Sequence, residues 1–414
     1  MIVSRRTTLR ASAFLPLIAG MPGLLHAANA RGFTHSVASG DPGRASIRLW
    51  TRFVADTAST TLRVELSETE EFLTITSNGT ATAAPATDHC AQVRIDGLLP
   101  DRWYFYRFIA PDGSVSPTGR TRTLPGKSVA SLLMAVVSCA NATSGWFNAY
   151  AHAAARDDLD LVVHLGDYIY ESPLDRSDAL AELAGVRGLA PLGETISLVD
   201  YRLRYASYRA DPALQELHRR HPMIVIWDDH EVANNSWQHG ASNHGVSDGD
   251  WDARKRAALQ VFYEWLPMEA RPYASYPIGD LATLFRLETR LLARSRQLDI
   301  TAAFAGSADP VTAIKTFVAG PLADSSRTMM GADQESWLAA GLSDSVTAQT
   351  RWQVLLQQVI MAPTVMPPID ASWFEEGAAL GPAEQSRIAA AGLLSQQGVP
   401  LGLDRWDGYP AARK

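Results

Sequence analysis

Cysteine is nearly absent: Cys90 and Cys139 are the two in 414 residues. So sparse a set builds no disulfide framework, and the two read as separate thiols. Charge of one sign is also missing. Thirty-seven basic against 44 acidic residues leave a net charge of −7 and a pI near 5.8. Nothing in that balance suggests the basic face a nucleic-acid partner requires. It also means that an anionic substrate must meet cations placed locally. Beyond the first thirty residues no segment is apolar enough to cross a bilayer. There is no Gly-x-Ser-x-Gly elbow, which sets aside the serine hydrolases of that type, and no phosphate-cradling loop of the NTPase kind. Internal repeats and long low-complexity tracts are absent too. What is there is ordinary for a soluble globular chain, 46% hydrophobic and 20% charged. The length suits one large domain and a smaller one.

The first thirty residues read as a targeting segment. Ser4-Arg5-Arg6-Thr7-Thr8-Leu9-Arg10 is a twin-arginine pattern, followed by an apolar stretch from Ala11 to Leu25 and a small-x-small cleavage site at Ala28-Asn29-Ala30. Pro16, Gly20 and Pro22 interrupt the apolar stretch, so it makes a poor spanning helix. The expectation is a twin-arginine signal peptide over 1–30 and no stable membrane anchor. The export machinery would carry the protein, already folded, to the periplasm or beyond.

Residues 31–126 have the texture of short strands and turns. Ser46 to Phe53 and Thr61 to Leu66 alternate polar and apolar at period two, and Asp41-Pro42-Gly43 and Pro111-Asp112-Gly113 are turn chemistry. Tyr104 is placed as the tyrosine corner of a small β-sandwich of immunoglobulin or fibronectin type III kind. After Pro125-Gly126-Lys127 the pattern changes. Leu132 to Val137, Leu159 to Leu165 and Met223 to Trp227 are apolar runs of buried-strand character. Phe147–Asp158, Arg254–Trp265, Gln334–Leu342 and Thr347–Met361 have helical spacing, and Ala179 to Thr195 reads as a surface loop. Strands alternating with helices predict an α/β domain over 130–414.

Each of the three apolar runs ends in a polar cluster: Ser138-Cys139-Ala140-Asn141, Gly166-Asp167-Tyr168-Ile169-Tyr170-Glu171 and Asp228-Asp229-His230-Glu231. Ligands of α/β sheets bind beyond the carboxyl ends of the strands. Carboxylates gathered there repel one another unless cations lie between them, which points to a metal site. Any one cluster alone reads as a buried thiol, a turn aspartate or a structural histidine; the conjunction carries the argument.

The pattern resembles the PhoD-like phosphatases of the calcineurin-type metallophosphoesterase superfamily. It is carried by Phe33 to Pro42, Ser138-Cys139, Gly166 to Glu171, Trp227 to Val232, Phe262 to Pro267, Gln334 to Leu338 and Trp406-Asp407-Gly408-Tyr409, in the family's order. The resemblance implies an αββα sandwich core. Cys139 and Asn141 stand where most of the superfamily has Asp-x-His, and Asp229 stands where it has Asn. The implied metal ligands are Cys139, Asn141, Asp167, Tyr170 and Asp229. Thiolate and phenolate suit ferric iron and an all-oxygen second site suits calcium, with zinc and manganese left open. His230 is the implied general acid or phosphate donor. Arg254 is either a phosphate clamp or part of a solvated helix face. The implied reaction is hydrolysis of a phosphate mono- or diester by in-line attack of a metal-activated water.

One part of the superfamily pattern is missing. No histidine follows His244, although the superfamily completes its site with later histidines on a further strand. The expectation is therefore a core incomplete at its C-terminus, weak in metal binding. The alternative reading is a catalytically inactive fragment serving as a binding or scaffold module. A thiol enzyme built on Cys139 has no second cysteine nearby to support it.

Overall fold

The computed structural model describes residues 30–56, 58–174, 186–364, 381–399 and 402–414. The twin-arginine motif and apolar stretch lie outside the described residues, as does the first part of the Ala179–Thr195 segment.

The chain opens with β1 (Gly32–Gly40), β2 (Ser46–Val54), β3 (Thr60–Ser67), β4 (Ser77–Ala83), β5 (Cys90–Asp96), β6 (Trp103–Ile109) and β7 (Gly119–Arg122). Their alternation is resolved into two layers. Strands β4-β3-β6-β7 form one antiparallel sheet, and β5-β2-β1 form half of another. Val37, Ile47 and Leu49 of one layer pack on Leu62, Val64, Leu66, Tyr106 and Phe108 of the other. The Tyr104 hydroxyl accepts the Leu99 N–H at 3.0 Å, the predicted corner. Both cysteines are free, Cys90 buried and Cys139 exposed.

The second part supplies β8 (Met134–Val137), α1 (Asn148–Ala154), β9 (Leu161–His164), α2 (Leu198–Arg209), α3 (Pro212–Arg220), β10 (Met223–Val225) and α4 (Trp251–Trp265). Asp211 and Asp250 cap α3 and α4 through their carboxylates, and Ser197 and Asp200 close a reciprocal capping box on α2. Strands β10, β9 and β8 are parallel neighbours, and β10 continues the first sheet through a parallel pairing of Met223 with Gly40. The resulting six-stranded order is β5-β2-β1-β10-β9-β8. One sheet therefore crosses the boundary marked by Pro125-Gly126-Lys127.

That junction explains two quoted motifs. A Cβ on Gly40 would lie 2.7 Å from the Pro267 carbonyl oxygen, so the two segments close on a glycine. Asp41 accepts the Tyr276 hydroxyl at 2.7 Å and pairs with Arg271 at 3.1 Å. Trp50 Nε1 donates to the Glu264 carbonyl at 2.8 Å.

Then follow β11 (Ala274–Ile278), β12 (Ala282–Arg286), α5 (Ile300–Phe304), α6 (Pro310–Ala319), α7 (Ala332–Thr347), β13 (Trp352–Leu356) and α8 (Pro382–Gln396). Strands β11-β12-β13 form a separate sheet, β13 running parallel to β12. Three readings need correction. Thr347–Met361 is not a helix: α7 ends at Thr347, Gln349 turns the chain at φ +57°, and Trp352–Leu356 pairs as a strand. Its short apolar run fits either period, and pairing with β12 decides. The β8 run is not buried. It is the sheet's edge, with Val136 55% exposed. Thr195, placed on a surface loop, is fully buried, its N–H donating to the Glu171 carbonyl at 2.9 Å.

Candidate functional site

The three polar clusters meet because β8, β9 and β10 are adjacent and parallel. The chain turns sharply as it leaves two of these strands. Gly166 has φ +98°, and a Cβ there would stand 2.5 Å from the Asp228 nitrogen, so only glycine fits. Cys139 and Asp167 take left-handed conformations at φ +58° and +54°. Non-glycine residues there cost on the order of 1 kcal/mol or more each and need support. The support is reciprocal: Cys139 N–H donates to the Gly166 carbonyl at 3.2 Å and Ala140 N–H to the Asp167 carbonyl at 3.0 Å. Glu231 joins the other pair of strand ends, accepting Tyr168 N–H at 2.5 Å and Asp228 N–H at 2.7 Å.

One ligand atom each from Asp167, Asp229 and His230 lie within 4.8 Å of one another. Asp167 Oδ2 accepts the Tyr170 hydroxyl at 2.9 Å, and the Cys139 thiol hydrogen-bonds the same carboxylate. Asp167 Oδ1 is buried without a hydrogen-bond partner. Asp229 Oδ2 accepts Asn235 N–H at 2.6 Å, and its Oδ1 faces Arg290 Nη2 at 3.5 Å. His230 donates from Nδ1 to Glu171 Oε2 at 2.6 Å, which leaves Nε2 as its free ring nitrogen. The Tyr170 ring lies 4.2 Å from the imidazole.

The electrostatics are those of crowded carboxylates. Burial raises the pKa of Asp167, and the Asp229 charge adds to it. Asp228 is pushed up to about 7 by burial, with Asp229 and Asp167 adding and Arg290 opposing. For Asp229 burial works upward, but Arg290 and His230 prevail and its pKa is lowered. Burial works to lower His230; its hydrogen bond to Glu171 and the charges of Asp229, Glu171 and Asp167 outweigh it and raise the pKa to about 9. Burial and Asp167 hold the Tyr170 phenol protonated, and burial raises the Cys139 thiol.

Of the residues singled out from sequence, Cys139, Asp167, Tyr170, Asp229 and His230 come together. Asn141 is engaged elsewhere: its Oδ1 accepts the Thr143 N–H at 2.9 Å and hydroxyl at 2.8 Å, folding the loop after β8. Arg254 is neither solvated nor free. Its guanidinium is fully buried, donating to Tyr201 at 3.1 Å and Glu194 at 2.7 Å. It reaches the cluster through Glu194, which shares Asn243 with Glu171 at 3.0 and 2.8 Å.

Four participants escaped sequence reasoning. Glu171 sat inside a quoted motif without a role, because its partner His230 is 59 residues away. Arg290 pairs with Asp228 at 2.5 Å and Asp404 at 2.8 Å, and Arg294 with Asp404 at 2.6 Å. Neither arginine belongs to a recognisable motif, so nothing in the sequence pointed to them. Glu288, also unremarked, fixes that segment by accepting N–H groups of Arg290, Leu291 and Leu292 and Trp227 Nε1.

A family model described as PhoD-like phosphatase matches residues 134–414, and one described as its N-terminal domain matches residues 22–125. Alkaline phosphatase D of Bacillus subtilis (strain 168) is 33% identical over 401 residues, covering 92% of this chain and 60% of that protein. This chain thus spans less than two thirds of that relative's length. A solved structure described as that of PhoD superposes with a TM-score of 0.71 at 31% identity, covering 93% of this chain and 68% of the other. The chain belongs to the PhoD-like phosphatase family.

Proposed function

We propose that this protein is an exported, metal-dependent phosphoester hydrolase acting on phosphate mono- or diesters. The observation that carries the proposal is the convergence of Asp167, Asp229 and His230 within 4.8 Å, with Asp167 Oδ1 buried and unpartnered. A buried carboxylate oxygen without a donor is costly unless a cation meets it. The donor set fits a metal on chemical grounds: two carboxylates, with a thiol and a phenol both already bonded to Asp167. Cys139, Asp167 and Tyr170 would hold ferric iron, and Asp167 and Asp229 a calcium ion. When bound, such ions supply a water of lowered pKa and neutralise charge gathering at phosphorus.

The chain's own groups do the rest. His230, held by Glu171 with Nε2 free, would present Nε2–H to an oxygen of the ester as the proton donor. Glu171 fixes the tautomer and orientation of His230. Arg254 acts as a positioning residue behind Glu194 and Asn243. Arg290 steadies Asp228 and Asp229, so the carboxylates remain gathered before any ion arrives. Export by the twin-arginine route is part of the proposal, supported by the Ser4 to Arg10 motif. Among the described residues no helix is long and apolar enough to cross a membrane.

The test is turnover of aryl mono- and diesters by the purified protein with iron and calcium, with chelator, and after metal is restored. Loss on chelation and recovery with the two ions is the expected result. Absence of turnover under every metal tried would sink the hydrolase reading.

A further inference from the structure

Beside the carboxylate cluster lies a cavity of about 700 Å³, walled by the end of β8, the loop of residues 141–147 and the start of α1. Two of its lining residues, Cys139 and Tyr170, hydrogen-bond the Asp167 carboxylate of the cluster, so the cavity adjoins it. Its lining contains no lysine, arginine or histidine and no carboxylate. Uncharged side chains line it instead: the faces of Val136, Trp146, Phe147, Tyr150 and Tyr170, interleaved with the polar groups of Ser138, Asn141 and Ser144. Val136 is 55% and Trp146 58% exposed, so both present apolar surface to whatever enters the cavity. The wall is held in shape. Arg187 stacks 4.1 Å over Phe147 and 5.5 Å over Trp146. Its guanidinium also donates to the carbonyls of Ala142 at 2.9 Å and Gly145 at 2.6 Å and pairs with Asp211 at 2.6 Å.

We propose that this cavity is the subsite for the organic half of the substrate, and that it selects phosphoesters whose alcohol group is uncharged and apolar, large enough to touch both Trp146 and Tyr170. The inference rests on the phosphoester reading above and adds the substrate class. The anionic phosphorus centre belongs with His230 and the metal ions the carboxylates would hold. A cavity without a cation but with aromatic faces can favour only the uncharged part of the same molecule. A preformed cavity of this volume, with aromatic walls and a few uncharged polar groups, is the usual form of a small-molecule site. Desolvating an aryl group against Trp146 gives discrimination of the size that one hydrophobic contact provides, on the order of tenfold.

The experiment compares p-nitrophenyl phosphodiesters whose second alcohol is methyl, phenyl or naphthyl, using the metal-loaded full chain and its Trp146→Ala and Trp146→Phe variants. The expected result is a kcat/KM that rises on the order of tenfold from methyl to naphthyl. The ratio should collapse in Trp146→Ala and be largely restored in Trp146→Phe. Equal turnover of all three esters by the parent overturns the subsite while leaving the hydrolase reading intact. If no ester is turned over, binding of 1-naphthol decides separately, by calorimetry on parent and Trp146→Ala. Binding lost in the variant supports the subsite, and absence of binding to the parent overturns it. Because Trp146 is largely exposed, its removal leaves the fold's core untouched; matching thermal unfolding of parent and variant checks this.

Discussion

Gly166 sits where backbone conformation and space agree on one residue. Gly166→Ala would force a Cβ against Asp228 in a conformation alanine resists. The expected cost is about 3 kcal/mol of stability, read by urea denaturation; an unchanged midpoint would contradict the geometry. Glu171 offers a second prediction at this scale. Glu171→Gln removes the charge behind His230 while keeping an oxygen for the Asn234 and Asn243 donors. In chelated protein, proton NMR should show the His230 pKa falling from about 9 toward 6.5. In metal-loaded protein kcat should fall on the order of 10- to 100-fold, the usual cost of losing the partner that orients a site histidine. The Asp and His of the site were legible because their residue types announce their chemistry. Glu171 and Arg290 were not, because what matters in them is a partner about sixty residues away, and a single sequence carries no record of such pairs.

At the scale of the element, the strands that position the site were readable and one of their environments was not. The runs before Cys139, Asp167 and Asp228 are too apolar to be loops, and each begins or ends in the polar cluster that marks it. Whether a run is central or at an edge depends on strand order, which is a property of the whole sheet. Hence β8 is half-exposed although its sequence looks buried. The Thr347–Met361 stretch failed for a related reason: five residues of strand are shorter than two helical turns, so its spacing matched both periods. The tyrosine corner was readable because local spacing creates it. Tyr104→Phe keeps the ring in its core and removes only the hydroxyl that holds Leu99 N–H. Equilibrium denaturation should show a loss of about 1 kcal/mol, with the strands of the sandwich intact by circular dichroism.

For the whole molecule, acid should act through buried histidines that are not members of the carboxylate cluster. Burial, with the charges of Arg52 and Arg209 adding, lowers the pKa of His35 to about 3; burial lowers that of His164 to about 3 as well. Both folded values lie below the unfolded 6.5, so the unfolded chain takes up protons first. Stability present above pH 6.5 is therefore lost as pH falls from 6.5 toward 3, at about 1.4 kcal/mol per pH unit for each such histidine. Carboxylates with raised values, such as Asp228, work in the opposite direction. The comparison is thus parent against His35→Gln, a variant able to keep the Thr34 and Ala206 hydrogen bonds. The variant should show a shallower fall below pH 6.5, by about one proton's worth; parallel curves would refute the assignment.

The sheet that runs from β5 through β1 to β8 has a further consequence at this scale. The two family models divide the chain near residue 125, yet Gly40 pairs with Met223 and Asp41 grips Tyr276 and Arg271 across that division. The seam is one of descent and not of mechanics. Whoever recombines these genes cannot treat the first segment as a detachable module. A graft from another relative must bring a β1 edge whose glycine and aspartate fit the recipient's own β10 and β11, or the strand that leads to Asp229 loses its neighbour.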